Sequence, residues 1–193
     1  MIEIKGNLFN PSSYMYDNSH AGPRDVPPDA VCITTNGFIK SNGEAVMGRG
    51  CAKQANDRWP GLSLDLAHLM KTNGNVTQKI DTVPLDGRRI PLIAFPVKPI
   101  TEPYNGTNVV RHMRNQFAHR MSVGISKVPG WACLANIPLI RKSAKELVEL
   151  TDSQAWEMVV LPRPGCGAGE LSWEDVKPIL EEILDNRFYC ITY

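Results

Sequence analysis

Five consecutive small residues, Gly165-Cys166-Gly167-Ala168-Gly169, break "VVLPRPGCGAGELSWEDV" between an apolar run and a helix start. A chain that leaves a strand through so bare a loop and enters a helix at once presents a row of backbone amides at the strand's end. Glycine admits positive φ and lets a bulky group approach the backbone. Amides at a helix start carry partial positive charge suited to phosphate oxygens. Ser172 is placed to cap that helix, with Asp175 three residues on in the manner of a capping box. Pro178 lies far enough inside the helix to remove one hydrogen bond and predicts a mild kink.

The same alternation runs through the chain. Short runs with β-branched residues read as strands at Ile2–Lys5, Ala30–Thr35, Ile90–Phe95, Met158–Leu161 and Tyr189–Tyr193. Between them, Leu62, Leu66 and Leu69 share a helical face, as do Ile140, Ala144, Leu147 and Val148, and as do Val176, Ile179, Leu180, Ile183 and Leu184 within "SWEDVKPILEEILDN". Strands alternating with helices predict an α/β sandwich around a mainly parallel sheet. Ligands in such folds bind at the carboxyl ends of strands. With no internal repeat or linker, the 193 residues read as one domain, 1–193.

A second bare loop occupies such a position. In "TTNGFIKSNGEAVMGRGCAKQ", Gly48-Arg49-Gly50-Cys51 leads into an expected helix over Ala52–Arg58. Two loops of this kind from neighbouring strands would clamp a diphosphate. Neither has the Gly-Lys-Ser/Thr of a P-loop or the Rossmann glycine spacing. A single glycine loop is more often a tight turn; two of them at strand ends bring the two readings level.

Composition narrows the classes. A net charge of +1 provides no global field for nucleic acid or membrane. No apolar run reaches the roughly 18 residues of a membrane span, and "MIEIKGNLFN" alternates like a strand rather than a signal peptide. Five cysteines without zinc-like pairing point to a reduced, cytoplasmic setting, where the Asn75 and Asn105 sequons carry no weight. His20, His68, His112 and His119 lack metal-ligand spacing, so no metal and no cofactor is assigned.

Five motifs in order resemble those of macrodomains, the ADP-ribose-binding family. "VVLPRPGCGAGELSWEDV" is similar to the family's second phosphate loop, "IEIKGNLFN" to its first strand and turn, and "DAVCITTNG" to the strand ending in a ribose-facing asparagine. "AVMGRGCAKQANDRWPG" is similar to the first phosphate loop and its helix, and "LIAFPVK" to a strand ending in Phe-Pro-Thr-Lys. The combination most resembles the subgroup of terminal ADP-ribose protein glycohydrolase and the bacterial DNA ADP-ribosyl glycohydrolase antitoxins. Residues 100–136 remain as an unmatched insertion. The resemblance implies a three-layer α/β/α fold with a mixed, mainly parallel central sheet.

It also implies roles. Asn7 stands where the family has an acid that accepts from the adenine amino group; its carbonyl still accepts, without charge. The backbone of Leu8 and Phe9 borders adenine, and Asn36 faces the distal ribose. The amides of Gly48, Arg49, Gly50 and Cys51, and of Gly165, Cys166, Gly167, Ala168 and Gly169, hold the diphosphate and ribose edge. The Arg49 side chain reads equally as a phosphate contact or a solvated arginine. Lys98 matches a lysine that attacks the anomeric carbon, which requires a deprotonated amine; the bland alternative is a surface lysine before a proline. The subgroup's aspartate in the second loop is replaced by Gly169, leaving Glu170 as candidate acid or as a polar loop edge. Cys166 reads as a small thiol rather than a nucleophile, and Trp59 and Trp173 read as packing residues.

From Pro103 to Lys145 there is no Asp or Glu, while Arg111, Arg114, Arg120, Lys127, Arg141, Lys142 and Lys145 are basic. Val109, Met113, Phe117 and Met121 repeat every four residues and predict a helix whose other face carries Arg111, Arg114 and His119. That strip suits a nucleic acid or the phosphates of a modified macromolecule, or is a solvated face paired with acids such as Glu181 and Glu182. The activity implied is an ADP-ribosyl hydrolase acting on a modified protein or nucleic acid. A phosphatase for ADP-ribose 1″-phosphate and a binding module for ADP-ribose or a related nucleotide are the alternatives, and no membrane partner is expected. The missing acids at Asn7 and Gly169 lean toward the binding module.

Overall fold

The computed structural model describes residues 1–14 and 27–192; His20 and Tyr193, named above, lie outside them. Its strands are β1 (Ile2–Lys5), β2 (Ala30–Asn36), β3 (Gln78–Leu85), β4 (Arg88–Lys98), β5 (Thr101–Pro103), β6 (Lys127–Pro129), β7 (Val159–Pro162) and β8 (Phe188–Thr192). Its helices are α1 (Gly50–Arg58), α2 (Leu62–Asn73), α3 (Arg114–Ala118), α4 (Ile137–Gln154) and α5 (Trp173–Glu181).

Six strands form one sheet in the order β1-β8-β7-β2-β4-β3. All neighbours are parallel except β3 and β4. Successive side chains along a strand face opposite sides of the sheet, and β4 shows what this does. Ile90, Leu92 and Ala94 enter the core beneath α1 and α2, with Ala55, Leu62 and Leu66. Ile93, Phe95 and Val97 enter the opposite core, with Ile140, Ala144 and Leu147 of α4 and Val176 and Leu180 of α5. The central strands are therefore apolar on both faces, as a helix-covered parallel sheet requires, and the architecture is three-layered α/β/α.

Strand β3 is absent from the sequence reading because "QKIDTVPL" carries Asp81 and Pro84. It is an edge strand, where a proline costs no ladder bond on its open side. At the other end of β4 the strand continues to Lys98, three residues beyond the expected Phe95.

Two helices differ from expectation. Helix α5 stops at Glu181, and the chain closes into a turn in which the Leu184 amide donates to Leu180 O at 2.7 Å, burying Leu184. Its cap bonds with Glu174 rather than Asp175: Ser172 Oγ accepts from the Glu174 amide at 3.2 Å, and its hydroxyl meets the Glu174 carboxylate. The expected helix over residues 109–121 shrinks to a 3₁₀ turn, Arg111–Met113, followed by the five-residue α3. Val109 instead bridges Cys133, and the Val110 amide donates to Ala132 O. Met113, Phe117 and Met121 still share one side and pack on a small core of Tyr104, Val109, Val128, Ala132 and Cys133. Strands β5 and β6 pair antiparallel beside it. Among the described residues no helix is long and apolar enough to cross a membrane.

Candidate functional site

A cleft of about 680 Å³ opens at the carboxyl ends of β2, β4, β7 and β8. Leu8, Asn36, Lys98, the whole of Gly48–Cys51 and the whole of Gly165–Gly169 line it. Gly50, Cys51 and Ala52 bring the first turn of α1 to the cleft, and no side chain caps that turn. In the second loop the amides of Gly167, Ala168 and Gly169 donate to no protein group among the described residues. The two bare loops thus face one space with unspent donors, the arrangement that suits a phosphate.

Lys98 sits at the bottom of this arrangement. A shift of register between β2 and β4 sets Asn36 opposite Lys98, at the kind of bulge that re-aims side chains near sites. The Asn75 side chain and the Gly37 amide both donate to Lys98 O, at 3.0 and 3.3 Å. Only 7% of Lys98 is exposed, and its Nζ donates to Ala168 O at 2.8 Å. Burial lowers the amine to about 8; the Arg49 guanidinium pushes the same way and the Glu170 carboxylate opposes it. Burial also pushes the neighbouring Cys133 thiol up to about 12, so it carries no charge at neutral pH that would hold the lysine proton.

Three expected residues do not line the cleft. Glu170, at φ 61°, borders the shallow depression beside it, and its carboxylate oxygens accept from the Arg111 amide at 2.8 and 3.0 Å. Asn7 accepts from the Phe9 amide at 3.0 Å, closing a turn. Phe9 is buried against Trp59, and its carbonyl accepts from Arg58 at 2.9 Å. The Asn36 side chain, though on the cleft wall, donates to Val46 O at 2.8 Å and accepts from Phe38 at 3.0 Å, bracing the segment that leads to the first loop.

No family model and no curated protein matches the sequence. Solved structures do match. The macrodomain of Mycobacterium tuberculosis DarG is 19% identical with a TM-score of 0.62, over 100% of this chain and 98% of that one. The macrodomain of Thermus aquaticus DarG is also 19% identical, with a TM-score of 0.61 over 100% and 97% of the two chains. Thermosipho africanus DarTG, in complex with ADP-ribose, is 15% identical with a TM-score of 0.56, over 85% of this chain and 38% of that one.

This chain has the macrodomain fold. Several residues of the macrodomain cleft escaped the sequence reading. Thr34, Thr35 and Gln54 belong to elements already assigned to the site, and Arg163 precedes the second loop. His112, Met113 and Trp131 come from the stretch read above as an insertion, which supplies one wall. Only the placement of the insertion's small core reveals them; Phe117 meets Trp131 edge to face at 6.1 Å.

Burial raises both cleft thiols, Cys166 to about 11, so at neutral pH they are protonated. Trp173 holds the start of α5 to β1, donating from Nε1 to Glu3 at 3.1 Å beneath the Arg163 guanidinium. The basic strip divides. Arg141 pairs with Glu182 at 2.8 Å and Lys142 with Glu146 at 2.6 Å, while Arg114 donates to Val109 O at 3.1 Å. Among the described residues no group of three or more His, Cys, Asp or Glu side chains is arranged to hold a metal.

Proposed function

We propose that this protein binds the ADP-ribose part of a modified protein or nucleic acid and cleaves its glycosidic bond, with Lys98 as nucleophile. The observation that carries the reading is Lys98 itself: a buried amine, lowered to about 8, lying between two amide-lined loops. A neutral amine retains hydrogens to donate to Ala168 O while its lone pair attacks. The loops would hold the diphosphate, and Asn36 would border the distal ribose. Arg111, which borders the depression beside the cleft, would meet phosphates of the modified macromolecule.

A second reading, a module that binds ADP-ribose without turnover, draws on Glu170, whose carboxylate is engaged by the Arg111 amide, and on Asn7, an amide with its oxygen already used. Calorimetry with free ADP-ribose, followed by release assays on ADP-ribosylated protein and ADP-ribosylated DNA, separates the two. Binding by both the parent and Lys98→Ala, with release by the parent alone, is the expected result. Binding without release on either substrate supports the module, and absence of binding removes both readings.

A further inference from the structure

Displacement at an anomeric carbon needs proton transfers besides the attack. The lysine nitrogen must lose a proton once bonded, and the departing group must gain one. Glu170 is turned from this task, because its carboxylate grips the Arg111 amide and borders the depression rather than the cleft. What it does instead is anchor the turn Arg111–Met113, 59 residues away in sequence. The next residue in that turn, His112, is exposed and borders both the cleft and the depression. An imidazole gives and takes protons near neutral pH. The other cleft side chains with acidic hydrogens fit poorly: the guanidinium groups of Arg49 and Arg163 keep theirs, and burial raises the thiols of Cys51 and Cys166.

We infer that His112 is the acid–base partner of Lys98 and that Glu170 is the positioning residue that presents it. The inference rests on the hydrolase reading above. As Lys98 Nζ bonds to the anomeric carbon, the bond to the macromolecule breaks and its electron pair leaves with that group. The His112 imidazolium protonates the departing group, and the neutral imidazole then takes the surplus proton from the lysine nitrogen. Water next adds to the anomeric carbon. His112 gives its proton to the departing Lys98 nitrogen and takes one from the water, releasing ADP-ribose and restoring both residues.

The test compares the parent with His112→Ala, Glu170→Ala, Glu170→Gln and Lys98→Ala on ADP-ribosylated protein and ADP-ribosylated DNA, with free ADP-ribose affinity measured in parallel. His112→Ala is expected to lower release by about 10²-fold or more at unchanged affinity. Added imidazole should restore part of that rate and none for Lys98→Ala. Glu170→Gln keeps a carbonyl for the Arg111 amide and should retain most of the turnover that Glu170→Ala loses. An active parent matched by His112→Ala overturns the inference and leaves the hydrolase reading intact. Glu170→Gln as inactive as Glu170→Ala, with imidazole without effect, makes Glu170 the acid and also overturns it. A parent that binds ADP-ribose but releases nothing overturns this inference together with the hydrolase reading on which it rests.

Discussion

The two bare loops that face the cleft are built in opposite ways. Around Gly48 and Gly50 there is open space, so a Cβ there would meet nothing within 4 Å, and α1 begins without a side-chain cap. The second loop is closely packed. A Cβ on Gly165 would lie 2.9 Å from Ile140 Cδ1, and one on Gly169 would lie 2.4 Å from Gly165 O. Four backbone bonds hold it, Ala135 to Gly169, Leu171 to Gly165, Glu170 to Gly167 and Cys166 to Arg163, and Lys98 adds a fifth through Ala168 O. Glycine therefore does two jobs in one site. In the first loop it leaves room for a ligand; in the second it leaves room for the protein. The second loop is held by the protein's own packing and hydrogen bonds, so its amides need little ordering on binding.

The sharpest way to break this comparison is at Lys98, the side chain tied to the rigid loop. Lys98→Ala should reduce release of ADP-ribose to background while leaving ADP-ribose affinity within a few-fold of the parent. In His112→Ala, where no imidazolium takes part, the residual turnover should rise about tenfold per pH unit and level off above about 8, because only the neutral amine attacks. A rate flat from pH 6 to 9.5 would count against the lysine as nucleophile. The same displacement governs stability. The folded amine loses its proton near 8 while the unfolded one keeps it to higher pH, so across that window the unfolded chain binds more protons and stability rises with pH. Below it the buried ammonium is a constant penalty. Lys98→Met should raise Tm at pH 7, with the gain fading as pH climbs beyond 8.

Gly169→Val comes next. The added side chain meets the Gly165 carbonyl and Ala135 Cβ, the latter 2.6 Å from its first carbon, and should cost about 3 kcal/mol in denaturant unfolding. If the variant melts with the parent, the second loop is not the rigid partner. Gly50→Ala has space but forces a side chain into φ 57°, so about 1 kcal/mol of strain is expected, with a modest loss of ADP-ribose affinity. Gly48→Ala is the smallest change, within about 0.5 kcal/mol. A large effect there would mean that the open loop is as constrained as the closed one.

Much of this was legible beforehand because it was local. The strand–loop–helix order, the bare loops and the asparagine and lysine at strand ends lie within stretches of a dozen residues or fewer, where period, glycine content and capping chemistry operate. Glu170 shows where such reading stops. Its place beside the second loop was visible, but the partner that its carboxylate takes, the Arg111 amide, lies 59 residues away. Ser172 shows the same on a smaller scale: the cap was evident, whereas its choice of Glu174 over Asp175 depended on how the first turn closed. Residues 109–121 carried a real four-residue repeat that still did not make one helix, because Val109 was drawn into a bridge with Cys133.

By itself, then, the sequence determined the alternating elements, the apolar faces that sandwich a parallel sheet and the two stretches of exposed backbone at its carboxyl edge. These follow from side-chain period and glycine, which act within each segment. Only the tertiary structure decided the strand order, the antiparallel edge strand β3, the burial that lowers the Lys98 amine and the insertion's delivery of His112, Met113 and Trp131 to the cleft. Each of those depends on contacts between residues far apart in the chain, whose energies exist only once the layers have packed.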